Sequence, residues 1–255
     1  MPRMLTLKKS LGQHFLKDEE VSKRIAGILQ ERPFGRLLEI GPGGGALTKY
    51  LLSFQSIDLK CIEIDHEKVQ YLLRVYPPLK GKIIEADILN VAKPFDRPFT
   101  VVGNFPYNIS TEILFRMLDW KDDVESVTGM FQKEVAQRVA SAEGSRIYGV
   151  TSVLLQAFFR VEYLFEVPAT AFEPPPKVQS AVIRLTPLAN PVKMRNAKLF
   201  RVLVKTAFSQ RRKTLRNAVK ALFTKEELAD GLFDKRAEQL SVEEFGRLTF
   251  RMREG

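Results

Sequence analysis

Short apolar runs at Leu37–Ile40, Leu59–Ile64, Lys82–Glu85, Phe99–Gly103 and Val124–Phe131 alternate with stretches of helical periodicity, and no other feature of the chain constrains its fold as much. The helical stretches lie around Ala46–Ser53, His66–Val75, Thr111–Leu118 and Lys133–Ala142. Strands buried on both faces read as short continuous apolar runs, and a helix between successive strands is the crossover that parallel pairing needs. The fold class is therefore α/β, with a mostly parallel sheet covered on both faces. A first helix is expected from about Asp18 to Gln30, with Asp18 as its N-cap. Two later runs, Val161–Val167 and Ser180–Leu185, are separated only by 168–179, which holds four prolines. They are expected to pair antiparallel, across a loop stiffened by Pro174, Pro175 and Pro176. Beyond Pro187 and Pro191 the pattern becomes helical and basic. The boundary falls near 188–193, giving a large domain over 1–190 and a small all-helical domain over 191–255.

Composition narrows what such a chain can do. At 255 residues and 45% hydrophobic, it can bury one sizeable core and a smaller one. Cys61, the single cysteine, lies in an apolar run and reads as an inert buried thiol, and two histidines do not make a zinc cluster, so no metal is expected. No apolar run approaches the ~18 residues of a membrane helix, and the first twenty residues lack a signal-peptide core. A cytoplasmic protein with no membrane partner is expected, and nothing demands more than a monomer. The net charge of +10 is uneven: residues 193–255 carry 16 Lys/Arg against 8 Asp/Glu, and residues 1–24 carry 6 against 3. Basic ends around a neutral middle suit a small ligand held centrally and a polyanion held by the flanks. Arg211, Arg212, Lys213 and Arg216 are the densest cluster and the candidates for nucleic-acid contact.

The first apolar run leads into Gly41-Pro42-Gly43-Gly44-Gly45, a glycine turn opening a helix. Such turns let backbone approach a ligand closely, as in any doubly wound nucleotide binder. Glu63 follows Gly43 by 20 residues at the end of the second run, where a carboxylate can accept both hydroxyls of a ribose. A nicotinamide dinucleotide satisfies this much. S-adenosylmethionine is favoured by Glu39, an acid two residues before Gly41 and suited to a cationic ligand, and by Asp87 after the third run, placed to recognise an adenine amine. Asn104 ends the fourth run on the same rim, the carboxyl edge at which open α/β sheets bind ligands.

Asn104-Phe105-Pro106-Tyr107 supplies the reaction site. The lone pair of an exocyclic adenine amine is delocalised into the ring. Hydrogen bonds from its N–H groups to the Asn104 side-chain oxygen and the Pro106 carbonyl would draw the nitrogen toward tetrahedral geometry and aim that lone pair at a methyl group, with no strong base needed. Tyr107 can stack on the base, and Phe172, in a loop held by prolines, is the second stacking candidate. The target base must be looped or flipped out to be reached.

With these motifs in view, the chain resembles the bacterial small-subunit ribosomal RNA adenine dimethyltransferase family, the kasugamycin-resistance methylases. The resemblance runs through Ser10-Leu11-Gly12-Gln13-His14-Phe15-Leu16, the glycine turn, Asn104-Phe105-Pro106-Tyr107-Asn108-Ile109-Ser110, Phe131-Gln132-Lys133-Glu134-Val135 and Phe172–Val182. It ends in Phe208-Ser209-Gln210-Arg211-Arg212-Lys213-Thr214-Leu215-Arg216-Asn217, so it covers nearly the whole chain. It implies a Rossmann-like class I S-adenosylmethionine-dependent methyltransferase sheet with an antiparallel last strand. It further implies that His14, Leu16 and Gly41 lie against the cofactor, that Glu63 holds its ribose and Asp87 its adenine, and that Asn104 serves the reacting centre. The implied reaction is N6,N6-dimethylation of two adjacent adenosines near the 3′ end of 16S rRNA, with the basic C-terminal domain docking on the assembling 30S subunit. Two positions depart from the family pattern: His14 stands where Asn is usual, and Phe105 where Leu is usual. The bulk of Phe105 bears on the room left for an amine already carrying one methyl group. The alternatives are a 23S rRNA adenine methyltransferase of the antibiotic-resistance type and a non-catalytic ribosome-assembly or transcription factor.

Overall fold

The computed structural model describes residues 14–253. Of the N-terminal motif, Ser10–Gln13 lies outside the described residues. The described residues open with a two-residue strand, β1 (Phe15–Leu16), and helix α1 (Glu19–Gln30). Asp18 caps α1 as its sequence predicts, its carboxylate accepting from the backbone N–H groups of Glu20 and Val21 at 2.9 and 3.3 Å. The buried face of α1 is Ser22, Ile25, Ala26 and Leu29, the spacing of one helical stripe.

The predicted alternation follows: β2 (Arg36–Ile40), α2 (Thr48–Leu51), β3 (Asp58–Glu63), α3 (His66–Val75), β4 (Ile83–Glu85), β5 (Phe99–Asn104), α4 (Ser110–Asp119), β6 (Val124–Gln132) and α5 (Lys133–Ala140). Helix α6 (Val150–Gln156) precedes β7 (Phe159–Val167), and the two-residue β8 (Phe172–Glu173) precedes β9 (Ser180–Pro187). The strands form a seven-stranded sheet in the order β4-β3-β2-β5-β6-β9-β7. Pairing is parallel from β4 across to β6, and β9 runs antiparallel to β6. The two late runs are neighbours, as expected, with β9 inserted between β6 and β7. The order turns back on itself between β2 and β5, which leaves a crevice at their carboxyl ends where an open sheet takes its ligand. The core beside this crevice is built from Leu37, Leu59, Leu72, Val102, Met130 and Val182, all buried.

Sequence patterning gives no hint of the second, very small sheet. β1 pairs antiparallel with β8, Phe15 opposite Glu173 and Leu16 opposite Phe172. Backbone N–H groups of Lys17 and Asp18 both donate to the Ala171 carbonyl, at 2.9 and 3.2 Å. Two segments about 157 residues apart are thereby joined at one point.

Contacts divide the chain into two compact units, one of residues up to 136 with 162–187, the other of 137–161 with 188 onward. The sequence reading carries the first domain unbroken to 190, whereas residues 137–161 group with the C-terminal residues. The reason is α6, which buries Val153, Leu154 and Leu155 and packs on α7 (Ala197–Phe208). The second unit continues through α8 (Leu215–Ala218), several short 3-10 turns and α9 (Val242–Leu248), around Phe208, Phe223, Phe233 and Phe245. Among the described residues no helix is long and apolar enough to cross a membrane.

Candidate active site

One cavity of about 220 Å³ opens at the carboxyl ends of β2, β3, β4 and β5. His14, Leu16, Glu39, Gly41, Gly43, Glu63, Asp87, Asn104, Pro106 and Tyr107 all line it. Residues chosen from five separate stretches of sequence thus converge on one space. Each strand delivers its polar residue where the sheet stops, because the backbone beyond the last ladder bond is free to turn.

At β2 the turn is sharp. Gly41 and Gly43 have φ of +68° and +56°, a region that L side chains rarely enter. The backbone N–H groups of Gly41, Gly43 and Gly45 are already engaged: Gly41 donates to the Ile62 carbonyl at 2.9 Å, Gly45 to the Pro42 carbonyl at 2.8 Å, and Gly43 to Glu63 Oε2 at 3.1 Å. A pyrophosphate would compete for these same donors. Three of the turn's donors are thus occupied within the protein, and the turn faces its ligand with carboxylates.

Glu63 is fixed on both sides, its second oxygen accepting from the Asp65 N–H at 3.0 Å, and it is buried at the end of β3. A carboxylate held this firmly keeps outward lone pairs for a vicinal diol. Glu39 is 1% exposed and accepts from Thr48 Oγ1 at 2.8 Å, with the Cys61 thiol at 3.7 Å. Burial pushes its carboxyl up to about 7, against the pull of the Thr48 and Cys61 hydrogen bonds. Burial likewise raises the Cys61 thiol well above its ordinary range, the inert thiol expected. Asp87 is oriented by its own turn, accepting from Leu89 N–H at 2.9 Å and Asn90 Nδ2 at 2.8 Å.

The cavity also has walls that the sequence reading misses. Ile64 is 55% exposed directly after Glu63, and Ile88 follows Asp87; both line the cavity and offer apolar faces to a planar ring. The available signal is an apolar residue stranded at a strand end after an acid. Phe15 and Lys68 line it as well, with Lys68 buried and its Nζ 5.2 Å from the Phe15 ring centroid. Three carboxylates, an apolar slot and engaged turn amides suit S-adenosylmethionine: acids for the ribose diol and the cationic end, aliphatic faces for the adenine.

At β5, Asn104 is half-buried at the cavity wall, and among the described residues its side-chain amide takes no hydrogen-bond partner. The Pro106 carbonyl accepts one long bond, 3.3 Å from Ile109 N, which leaves it a further lone pair. The Tyr107 hydroxyl bonds to Ser180 Oγ on β9, and burial raises its pKa against that bond. The His14 ring stands 5.7 Å from the Tyr107 ring, with His14 Nδ1 2.9 Å from the Pro174 carbonyl oxygen. Phe105 points away from the crowding its size implies. Its ring packs edge-on against Phe131 at 5.0 Å, in room created by Gly103 and Gly129, where an added Cβ would lie 2.5 and 2.2 Å from ring atoms. Most of its bulk is absorbed by the core.

One expectation needs correction, and two of the expected RNA contacts prove to have protein partners. Phe172 is 0% exposed, a core residue beneath the loop that pairs with Leu16 across the small sheet; as placed, it has no free face for a base. Arg211 spends its guanidinium on the carbonyl oxygens of Arg146 and Tyr148, at 2.8 and 2.7 Å. Arg216 is paired with Asp234 at 2.9 Å. Arg211, Arg212 and Lys213 are all exposed, and of these three only Arg211 spends its side chain on protein partners among the described residues.

Comparison with known proteins places this geometry. The sequence model for "Ribosomal RNA adenine dimethylase" matches residues 4–250. A protein of Flavobacterium johnsoniae named Ribosomal RNA small subunit methyltransferase A is 52% identical over 246 residues, 95% of this chain and 94% of its own. One of the same name from Phocaeicola vulgatus is 50% identical, over 95% of this chain and 88% of its own. Among solved structures, the 23S rRNA methyltransferase ErmE superposes with a TM-score of 0.72 at 26% identity, over 93% of this chain and 99% of its own. A dimethyladenosine transferase from Plasmodium falciparum gives 0.76 at 23% identity over 91% and 94%, a likeness of fold. Motif order, sheet topology and relatives across nearly the full length agree: the chain belongs to the ribosomal RNA adenine dimethylase family.

Proposed function

We propose that the chain transfers methyl groups from S-adenosylmethionine to the N6 amines of two adjacent adenosines in the 3′-terminal hairpin loop of 16S rRNA, during assembly of the small subunit in the cytoplasm and as a monomer. The observation that carries this reading is the convergence of Glu39, Glu63 and Asp87 with Asn104, Pro106 and Tyr107 on one cavity. Bound there, S-adenosylmethionine would supply an electrophilic methyl group on a positively charged sulfur that leaves as a neutral thioether. Glu63 would receive the ribose diol, Asp87 the adenine amine, Ile64 and Ile88 the adenine faces, and Glu39 the cationic end. Gly41, His14 and Leu16 would pack against the same ligand.

The substrate adenine would stack on Tyr107, worth about 1–3 kcal/mol and comparable with the cost of unstacking it from RNA. The Asn104 side-chain oxygen and the Pro106 carbonyl would accept hydrogen bonds from the amine and orient its lone pair. As the new N–C bond forms, the nitrogen becomes acidic, and its proton leaves to water without a dedicated base. A monomethylated amine keeps one N–H and would present it to one of the two acceptors, so the second transfer would proceed with a single orienting hydrogen bond. The second unit, with Arg212 and Lys213 exposed, would hold the RNA.

The reading favoured second is methylation of 23S rRNA, on the likeness to ErmE. Identity to that structure is 26%, against 50% or more to relatives named for the small subunit, and this difference supports the first reading. Incubating the protein with labelled S-adenosylmethionine and either unmethylated small or large subunits separates the two. Label confined to dimethyladenosine of the small-subunit RNA is expected; label on the large subunit alone would overturn the proposal.

A further inference from the structure

The basic segment after α7 divides into anchored and outward-facing residues. Arg211 Nη2 bridges two carbonyl oxygens, those of Arg146 and Tyr148, and its guanidinium lies 5.8 Å from the Phe208 ring centroid. The loop that it holds, 141–149, is fastened at other points. Gly144 N–H donates to the Glu238 carbonyl at 2.7 Å, and Gly149 N–H donates to Ser152 Oγ at 3.0 Å. Tyr148 is fully buried with its ring 6.0 Å from that of Phe208. A loop pinned on both sides of Arg146 and Ile147 has little freedom to lose. Those two residues nevertheless face outward, Ile147 at 38% exposure, and Arg212 and Lys213 are exposed on the segment that Arg211 ties to them.

Arg146 and the exposed Ile147 are thus held on a loop immobilised by its backbone, tied through Arg211 to the segment that carries Arg212 and Lys213. Spaced cations meet a phosphate chain, and a small apolar face between them meets a sugar or the face of a base. We propose that Arg146 and Ile147, together with Arg212 and Lys213, form the surface on which this unit takes up the RNA backbone. Arg211 is then a positioning residue that sets the 146–148 loop and is not itself a phosphate ligand. The planar fork of a guanidinium can serve two carbonyl acceptors in a fixed geometry, whereas the single ammonium of lysine is a point charge on a flexible stem. This surface rests on the reading of the chain as an RNA methylase.

The test measures binding of the full-length protein to unmethylated small ribosomal subunits across a salt series. Four variants are compared with the parent: Arg146→Ala, Arg211→Lys, Arg211→Ala and Arg146→Ala with Arg211→Lys. Arg146→Ala is expected to weaken binding and to lower the slope of log K against log salt by about 0.7–0.9, one phosphate contact. Arg211→Lys, which keeps the charge, is expected to lose as much as Arg211→Ala. The double variant is expected to be no weaker than Arg211→Lys, since both changes act through one loop. Arg146→Ala with the parent's affinity and slope would overturn the proposal. So would Arg211→Lys binding like the parent while Arg211→Ala is weakened, because that pattern marks a direct phosphate contact. Arg146 is exposed, so its variant remains a valid test if the Arg211 variants fold poorly. Methyl transfer by the parent is recorded on the same particles. A parent that methylates while Arg146→Ala binds normally refutes only the surface; a parent that leaves adenine unmethylated refutes the function on which it rests.

Discussion

Glu39 offers a prediction whose size follows from the structure. Its carboxyl is buried between Thr48 and Cys61, and burial raises its pKa from 4.5 to about 7. Below pH 4.5 both the folded and unfolded chains carry the proton, and this residue makes no difference between them. From there to pH 7 the unfolded chain releases the proton while the folded chain retains it, so the folded state binds more protons and stability falls as pH rises. Above 7 the loss is complete. The interval of about 2.5 pH units at 1.36 kcal/mol each gives a loss of about 3 kcal/mol. Glu39→Gln keeps the shape and the oxygen that accepts from Thr48, and it removes the ionisation. The variant should therefore match the parent near pH 4.5 and exceed its stability by about 3 kcal/mol at pH 8, or roughly 6–12 °C in midpoint for a protein of this size. Trp120, the single tryptophan, is buried at the end of α4 and reports unfolding of the cavity-bearing unit by its fluorescence. Denaturant curves for the two proteins that stay parallel from pH 4.5 to 8 would refute the claim that burial holds Glu39 protonated. The same residue sets a ligand effect: a cation in the cavity favours the ionised carboxylate, so affinity for S-adenosylmethionine should rise through pH 7 relative to S-adenosylhomocysteine, and Glu39→Gln should abolish that rise.

Other perturbations test the remaining parts of the site. Tyr107→Phe keeps the ring and loses only the bond to Ser180, so it should retain most activity, while Tyr107→Ala should lose about 1–3 kcal/mol of RNA binding at saturating cofactor. Equal losses in the two variants would show that the hydroxyl matters more than the ring. Gly129→Ala sets a Cβ 2.2 Å from the Phe105 ring and 2.7 Å from that of Phe131 and should cost about 1–3 kcal/mol of stability, and adding Phe105→Leu should recover the part due to Phe105. If the double variant is no more stable than Gly129→Ala, the Phe105 ring is not the obstacle. Phe172→Ala should lower stability by about 3–5 kcal/mol, as for any buried phenylalanine. Unchanged unfolding with a large rise in KM for RNA would restore Phe172 to the role of a stacking residue.

What the sequence made legible is what local periodicity and strand-end chemistry encode. Strands and helices from Arg36 to Ala140 follow from short apolar runs and 3.6-residue stripes, because each element buries its own face within a few residues. Glu39, Glu63, Asp87 and Asn104 were legible because a polar group after an apolar strand has few structural reasons to be there. Pairing of Phe15–Leu16 with Phe172–Glu173 was not, since two-residue strands carry no period and exist only through a distant partner. Phe172 misleads for the same reason: a phenylalanine among prolines looks exposed until the N-terminal segment covers it. Arg211 reads as one of four equivalent cations, and only the carbonyl oxygens of Arg146 and Tyr148 distinguish it. Helix α6 was missed because its seven residues, Val150–Gln156, bury most of their length and leave no polar stripe to set a phase.

Orientation of an adenine nitrogen toward the methyl donor by the Asn104 amide is tested by single-turnover methyl transfer from labelled S-adenosylmethionine to unmethylated small subunits. Asn104→Ala is compared with the parent, and cofactor affinity is measured alongside. Loss of one preorganised hydrogen-bonding group predicts a fall of about 10²–10³ in the rate of transfer, with cofactor affinity within a few-fold of the parent. Transfer by Asn104→Ala at the parent's rate, under conditions where both proteins are saturated with cofactor and RNA, would contradict the account.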